Sequence, residues 1–137
     1  LKLLVDTNVV LDLLLDRLPF SDDAALLFER VESGAVTAVL CGTTITTIYY
    51  IAAKTIGGRK ARITIDKLMS LCEIAPVGRA VLEDALSSDS QDFEDAVIAA
   101  AARSNGVEAI VSRDASGFRK SGIPVYDAGQ VLGLLEE

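Results

Sequence analysis

The sequence predicts an α/β fold: three layers, α/β/α, with a mainly parallel central sheet between two sets of helices. Three observations predict it. Apolar runs at residues 2–5, 36–40, 73–77, 109–111 and 124–126 have the length of buried strands, too short for helices. Segments of helical period separate most of them, the order that produces parallel pairing. The 137 residues contain no internal repeat or low-complexity tract, so residues 1–137 are expected to form a single domain closing one core without staples.

Taken in order, residues 2–5 read as a buried strand and 8–15 as a short helix. Ser21 or Asp22 is placed to cap a second helix, which runs to Ser33 before Gly34 stops it. A strand follows at 36–40. Over residues 43–56, Ile45, Ile48, Tyr49, Ala52 and Ala53 share one helical face, although the threonines and isoleucines there weaken helix propensity. Gly57 and Gly58 interrupt the chain, and 59–71 resumes the period through Ile63, Leu68 and Leu71. A strand at 73–77, a helix at 81–86 and an alanine-rich helix at 92–105, ended by Gly106, come next. Strands at 109–111 and 124–126 and a closing helix at 127–135 complete the reading.

Composition narrows the chemistry. Histidine is absent, which removes imidazole acid–base catalysis, serine triads and histidine-based zinc sites. Cys41 and Cys72 are too far apart for a CxxC pair and read as apolar filler. Half the residues are hydrophobic, but charge or glycine breaks every apolar run well short of a membrane span, so a soluble chain with no membrane partner is expected. Nothing at Leu1 resembles a secretion leader, which makes a cytoplasmic location the expectation. So apolar a small domain also suggests a face covered by a second copy, a homodimer in the simplest case.

A net charge of −7 argues against bulk nucleic-acid binding, yet Lys54, Arg59, Lys60, Arg62 and Lys67 gather in one segment. Such charges often only solvate a helix face. Beside an acidic site they would instead form a local patch for phosphates.

Carboxylates carry the remaining chemistry. In parallel sheets ligands bind outside the carboxyl ends of the strands, and Asp6 and Asp114 both follow a strand at that end. The 92–105 helix runs back toward the start of the 109–111 strand, so its first turn, with Asp92 and Asp95, should reach the same edge. Asp92 and Asp95 would also serve as ordinary helix caps, and Asp114 as a turn former. Asp6 is harder to explain that way, because a carboxylate directly after Leu3-Leu4-Val5 is expensive to desolvate unless a cation or several donors meet it. Three or four such acids suit one or two Mg²⁺ or Mn²⁺ ions. Haloacid-dehalogenase phosphatases would need a second aspartate two residues after Asp6, where Asn8 stands. Receiver domains would need an aspartate at the end of the 73–77 strand, which has none.

Val5-Asp6-Thr7-Asn8-Val9, Asp92-Phe93-Glu94-Asp95-Ala96 and Ile110-Val111-Ser112-Arg113-Asp114 with Phe118 together resemble the PIN domain, the fold of VapC-type toxin ribonucleases. The order and spacing of all three blocks agree, from Leu3 to about Leu132. The resemblance implies a metal-dependent endoribonuclease. Asp6, Asp95 and Asp114 would hold Mg²⁺ or Mn²⁺, Asp92 would be an auxiliary acid, and Asn8 and Ser112 supporting polar groups. Water, not the ribose 2′-hydroxyl, would attack RNA, leaving 5′-phosphate and 3′-hydroxyl ends. Arg113, Arg59 and Lys60 are the expected phosphate contacts, Tyr50 a stacking surface, and a cognate antitoxin a possible protein partner.

One departure stands out. Such domains usually carry a further acid early in the helix after the second strand, and similar sequences often have an acid or amide where this chain has Thr47. No Asp or Glu occurs between Glu32 and Asp66. Thr46 and Thr47 offer hydroxyls but no charge. A PIN fold with a weakened site, binding RNA or a protein without cutting, is therefore the alternative expectation.

Overall fold

A computed structural model describes residues 1–136. Five strands, β1 (Lys2–Val5), β2 (Thr37–Cys41), β3 (Glu73–Ala75), β4 (Ala109–Val111) and β5 (Val125–Tyr126), form one sheet in the order β3-β2-β1-β4-β5. Every pairing is parallel, with Leu4 of β1 opposite Val39 on one side and Ile110 on the other. Seven helices flank the sheet among the described residues. No helix among these residues is long and apolar enough to cross a membrane.

Strand alternation divides the core in two. Leu3 and Val5 pack with Ala38, Leu40, Ala109 and Val111 against α1 (Thr7–Leu14), α2 (Ser21–Glu32) and α7 (Ala128–Leu135), joined by Ile48 of α3 (Gly42–Ile56) and Leu68 of α4 (Gly58–Leu71). Leu4, Val39, Cys41 and Ile110 point the other way, onto α5 (Arg79–Leu86) and the alanines of α6 (Phe93–Ser104). Period-two placement on strands buried on both faces gives this three-layer arrangement its two apolar layers. The small side chains of α6 let that helix lie close to the sheet, which places its first turn at the sheet's carboxyl edge.

Several boundaries differ from the sequence reading for identifiable reasons. β3 stops at Ala75 because Pro76 has no N–H to continue the ladder. The cap of α2 is Phe20, without a side-chain bond, while Ser21 is its first helical residue. The Arg17 carbonyl accepts both Phe20 N and Ser21 N at 2.9 and 2.8 Å, and this turn fixes where α2 begins. Asp127 opens α7 with a reciprocal capping box to Gln130. A 3-10 turn at Ala115–Phe118, unforeseen in the sequence, follows β4.

Candidate active site

The acids meet at the carboxyl edge of the sheet. Asp6 is the first residue beyond β1, held by its N–H to Val111 O at 2.8 Å, and only 6% exposed. Its Oδ1 accepts Thr7 N at 2.8 Å, capping α1, and its Oδ2 accepts the Ser112 hydroxyl at 2.7 Å. Ser112 Oγ in turn accepts Asp114 N at 3.0 Å and Asn8 Nδ2 at 3.5 Å. One buried hydroxyl thus joins the ends of β1 and β4, using its donor and both acceptor positions. The Asn8 contacts, including Oδ1 from Arg113 N at 3.4 Å, are long.

Asp114 divides its carboxylate. Oδ1 accepts Ser116 Oγ at 2.7 Å and Gly117 N at 3.2 Å, capping the 3-10 turn, whereas Oδ2 has no hydrogen-bond partner among the described residues. Oδ2 converges with Asp95 over Gly117. A Cβ on Gly117 would lie 2.5 Å from Asp95 Oδ2 and 2.9 Å from Asp114 Oδ2, so the two oxygens approach one point that only glycine leaves open. Asp92 caps α6 by accepting Asp95 N at 3.1 Å. The capping reading of these acids and their convergence are therefore both realised.

Electrostatics register the crowding. Burial, and then the neighbouring charges of Asp92, Asp6, Asp114 and Glu94, push Asp95 up to about 7. Asp6 is raised as well, chiefly by burial and further by Asp114 and Asp92, against the lowering effect of Ser112 and Thr7. Among the described residues no three Asp, Glu or Cys side chains already stand around one point as a finished metal cage. The donor set nonetheless fits a hard divalent cation. It is all carboxylate, two of its oxygens face each other across a glycine-made gap, and its mutual repulsion is of the kind a cation relieves.

Other expected residues lie elsewhere. Thr47, half-buried on α3, donates its hydroxyl to Thr43 O at 3.2 Å, and Thr46 does the same at 3.0 Å. The hydroxyl of α3 that reaches the β1 end is Thr44, fully buried, 3.2 Å from Thr7 Oγ1. Arg59 and Lys60 are exposed at the start of α4, and Tyr50 is exposed on α3. Arg113 points away from the acids: Nε and an Nη bind the two oxygens of Asp12 at 2.7 and 3.0 Å, and its guanidinium lies 4.0 Å from the Phe20 ring centre. Asp12, 1% exposed, and Gly117 were not singled out by the sequence reading. An aspartate inside an apolar helical run, Val9-Val10-Leu11-Asp12-Leu13, was the available signal for the first.

A groove of about 910 Å³ opens from Asp92, Asp95 and Asp114 and runs along α6 toward Arg103, Arg119 and Lys120.

A parallel sheet with this strand order and acids gathered at its carboxyl edge defines an acid-cluster α/β domain. The chain belongs to the PIN domain family, whose model matches residues 2–116. Over 120 residues it is 28% identical to Ribonuclease VapC1 of Aquifex aeolicus (strain VF5), covering 84% of this chain and 83% of that protein. Among solved structures it resembles FitAcB from Neisseria gonorrhoeae, with TM-score 0.69, 19% identity and coverage of 93% of this chain and 98% of that one. VapBC-1 from nontypeable Haemophilus influenzae gives 0.69 at 14% identity, covering 94% and 99%. VapBC2 from Rickettsia felis, bound to a DNA fragment from their promoter, gives 0.67 at 12% identity, covering 93% and 98%. At these identities the solved structures establish the fold.

Proposed function

We propose that this protein is a metal-dependent endoribonuclease of the VapC type, hydrolysing RNA phosphodiesters at the Asp6–Asp95–Asp114 cluster. The observation that carries the reading is the convergence of Asp95 and Asp114 over Gly117, beside an Asp6 tied to the same edge by Ser112. Asp6, Asp95 and Asp114 would hold Mg²⁺ or Mn²⁺, with Asp92 as an auxiliary acid. When bound, such an ion supplies Lewis-acid activation of water and neutralises charge on the phosphate.

The chain's own residues supply the rest. Ser112 fixes the Asp6 carboxylate, and Ser116 with Gly117 N fixes one oxygen of Asp114, so the other oxygen stays directed at Asp95. Asp95 has no hydrogen-bond donor to its carboxylate among the described residues, and burial with the neighbouring acids pushes it up to about 7. Attack by water predicts 5′-phosphate and 3′-hydroxyl products. Incubating labelled RNA with Mg²⁺, Mn²⁺ or chelator, for wild type and Asp6→Asn, tests this. Metal-dependent cutting lost in the variant supports it, and 2′,3′-cyclic phosphate ends count against it.

The relative named Ribonuclease VapC1 supports the ribonuclease reading, and the toxin–antitoxin names of the structural neighbours support a protein partner that silences it. A second reading, a PIN-fold module that binds without cutting, is favoured by one observation: α3 carries no acid, and Thr44 occupies the place where that helix meets Thr7. Metal binding without cleavage of any RNA would select it.

A further inference from the structure

We propose that Arg119 and Lys120 form the phosphate-binding side of the RNA groove, so that a single strand lies along α6 with its scissile phosphate at the acids; this rests on the nuclease reading above. The groove that holds Asp92, Asp95 and Asp114 also holds Arg103, Arg119 and Lys120. One wall follows α6 from Asp95 through Ala96 and Ala99 to Arg103, eight residues and roughly 12 Å of helix. The facing side follows the chain from Asp114 through the 3-10 turn to Ser121. The two meet at the far end, where Arg103 donates to Ser121 O at 3.0 Å and pairs with Asp84 at 3.0 Å.

That pairing offsets Asp84 and occupies Arg103, while Asp89 on the loop before α6 also lines the groove. Arg119 and Lys120 line the same groove, are exposed, and form no ion pair among the described residues. They follow Gly117 by two and three residues, so their backbone starts beside the acids and their long side chains can meet the phosphates that flank the reacting one. Ala96 and Ala99 keep the α6 wall free of large side chains. Arg59, Lys60 and Arg113 do not line this groove. An extended strand in a groove with cations beside the reacting centre is held by its phosphates, without a requirement for base identity.

The test uses a fluorescein-labelled, mixed-sequence single-stranded RNA with Mg²⁺ present. Anisotropy in an Asp95→Asn background measures binding without cutting, and cleavage kinetics are measured with Asp95 intact. Arg119→Glu/Lys120→Glu is compared with Arg59→Glu/Lys60→Glu, the same charge change outside the groove, and Arg119→Gln/Lys120→Gln serves if the reversal impairs folding. The proposal expects the groove pair to weaken binding about tenfold and to lower the slope of log K against log salt by about 1.4, for two lost phosphate contacts. KM should rise while kcat is retained, the mark of lost uniform binding. If wild type cuts RNA but the groove variants bind like their parent, or the Arg59/Lys60 variant shows the larger loss, this proposal falls and the nuclease reading stands. If the protein neither binds nor cuts RNA, both fall.

Discussion

The Ser112 hydroxyl donates to Asp6 Oδ2 at 2.7 Å across 106 positions of sequence, and Ser112 Oγ accepts from Asp114 N at 3.0 Å. One side chain therefore sets the position of an acid on β1 and the backbone of an acid after β4. A hydrogen bond to a buried charged group is worth more than an exposed neutral one. Ser112→Ala is expected to lower folding stability by about 2 kcal/mol in urea titrations and to push Asp6 further up, since the Ser112 bond lowers it. Unchanged stability would mean that Asp6 has found another donor.

Gly117 is expected to tolerate no Cβ without loss of function. The added atom would lie 2.5 Å from Asp95 Oδ2 and 2.9 Å from Asp114 Oδ2, so Gly117→Ala must spread the two carboxylates. Mn²⁺ affinity by calorimetry should fall about tenfold, the scale of disturbed support around ligands. Its φ is not in the left-handed region, so the loss is steric rather than a backbone effect.

The Arg113–Asp12 pair should respond unequally to its two deletions. The Asp12 side chain is 2% exposed and that of Arg113 31%. Removing Arg113 strands a buried carboxylate, so Arg113→Ala is expected to destabilise by about 3 kcal/mol. Asp12→Ala leaves a cation that can turn to water and should stay within about 1 kcal/mol. Equal losses in urea titrations would contradict this asymmetry.

Asp95 makes the metal-free protein's stability depend on pH. Its carboxyl titrates near 7 in the folded state against 3.8 ordinarily, so the folded protein holds a proton that the unfolded chain has released. The resulting stabilisation is complete below pH 3.8 and disappears as pH rises through about 7. Asp6, also raised, acts with the same sign. In chelator, Tm should fall across that window and fall less in Asp95→Asn. With Mn²⁺ the trend reverses, because protons compete with the cation and its stabilisation grows as Asp95 ionises.

The legible parts of this site were those fixed by local pattern. Asp6 and Asp114 follow short apolar strands, and Asp92 and Asp95 open a helix, so chain order alone placed them at one edge. The Asp12–Arg113 clamp, 101 residues apart, and the approach of two carboxylates over Gly117 depend on how finished elements pack, which periodicity does not encode. Arg113 shows the consequence: it was expected among the phosphate contacts, but its side chain is bound to Asp12 and Phe20. The cap of α2 was misplaced for a related reason, since the turn at Arg17 serves Phe20 and Ser21 through backbone rather than side chain.

Asp6, Asp95 and Asp114 are proposed to hold one divalent cation together. Anomalous diffraction from crystals grown above pH 7 with Mn²⁺ tests it most directly. A manganese peak bounded by carboxylate oxygens of those three residues, and absent in Asp6→Asn crystals, is the expected result. No peak there, or a peak held by other residues, would contradict it.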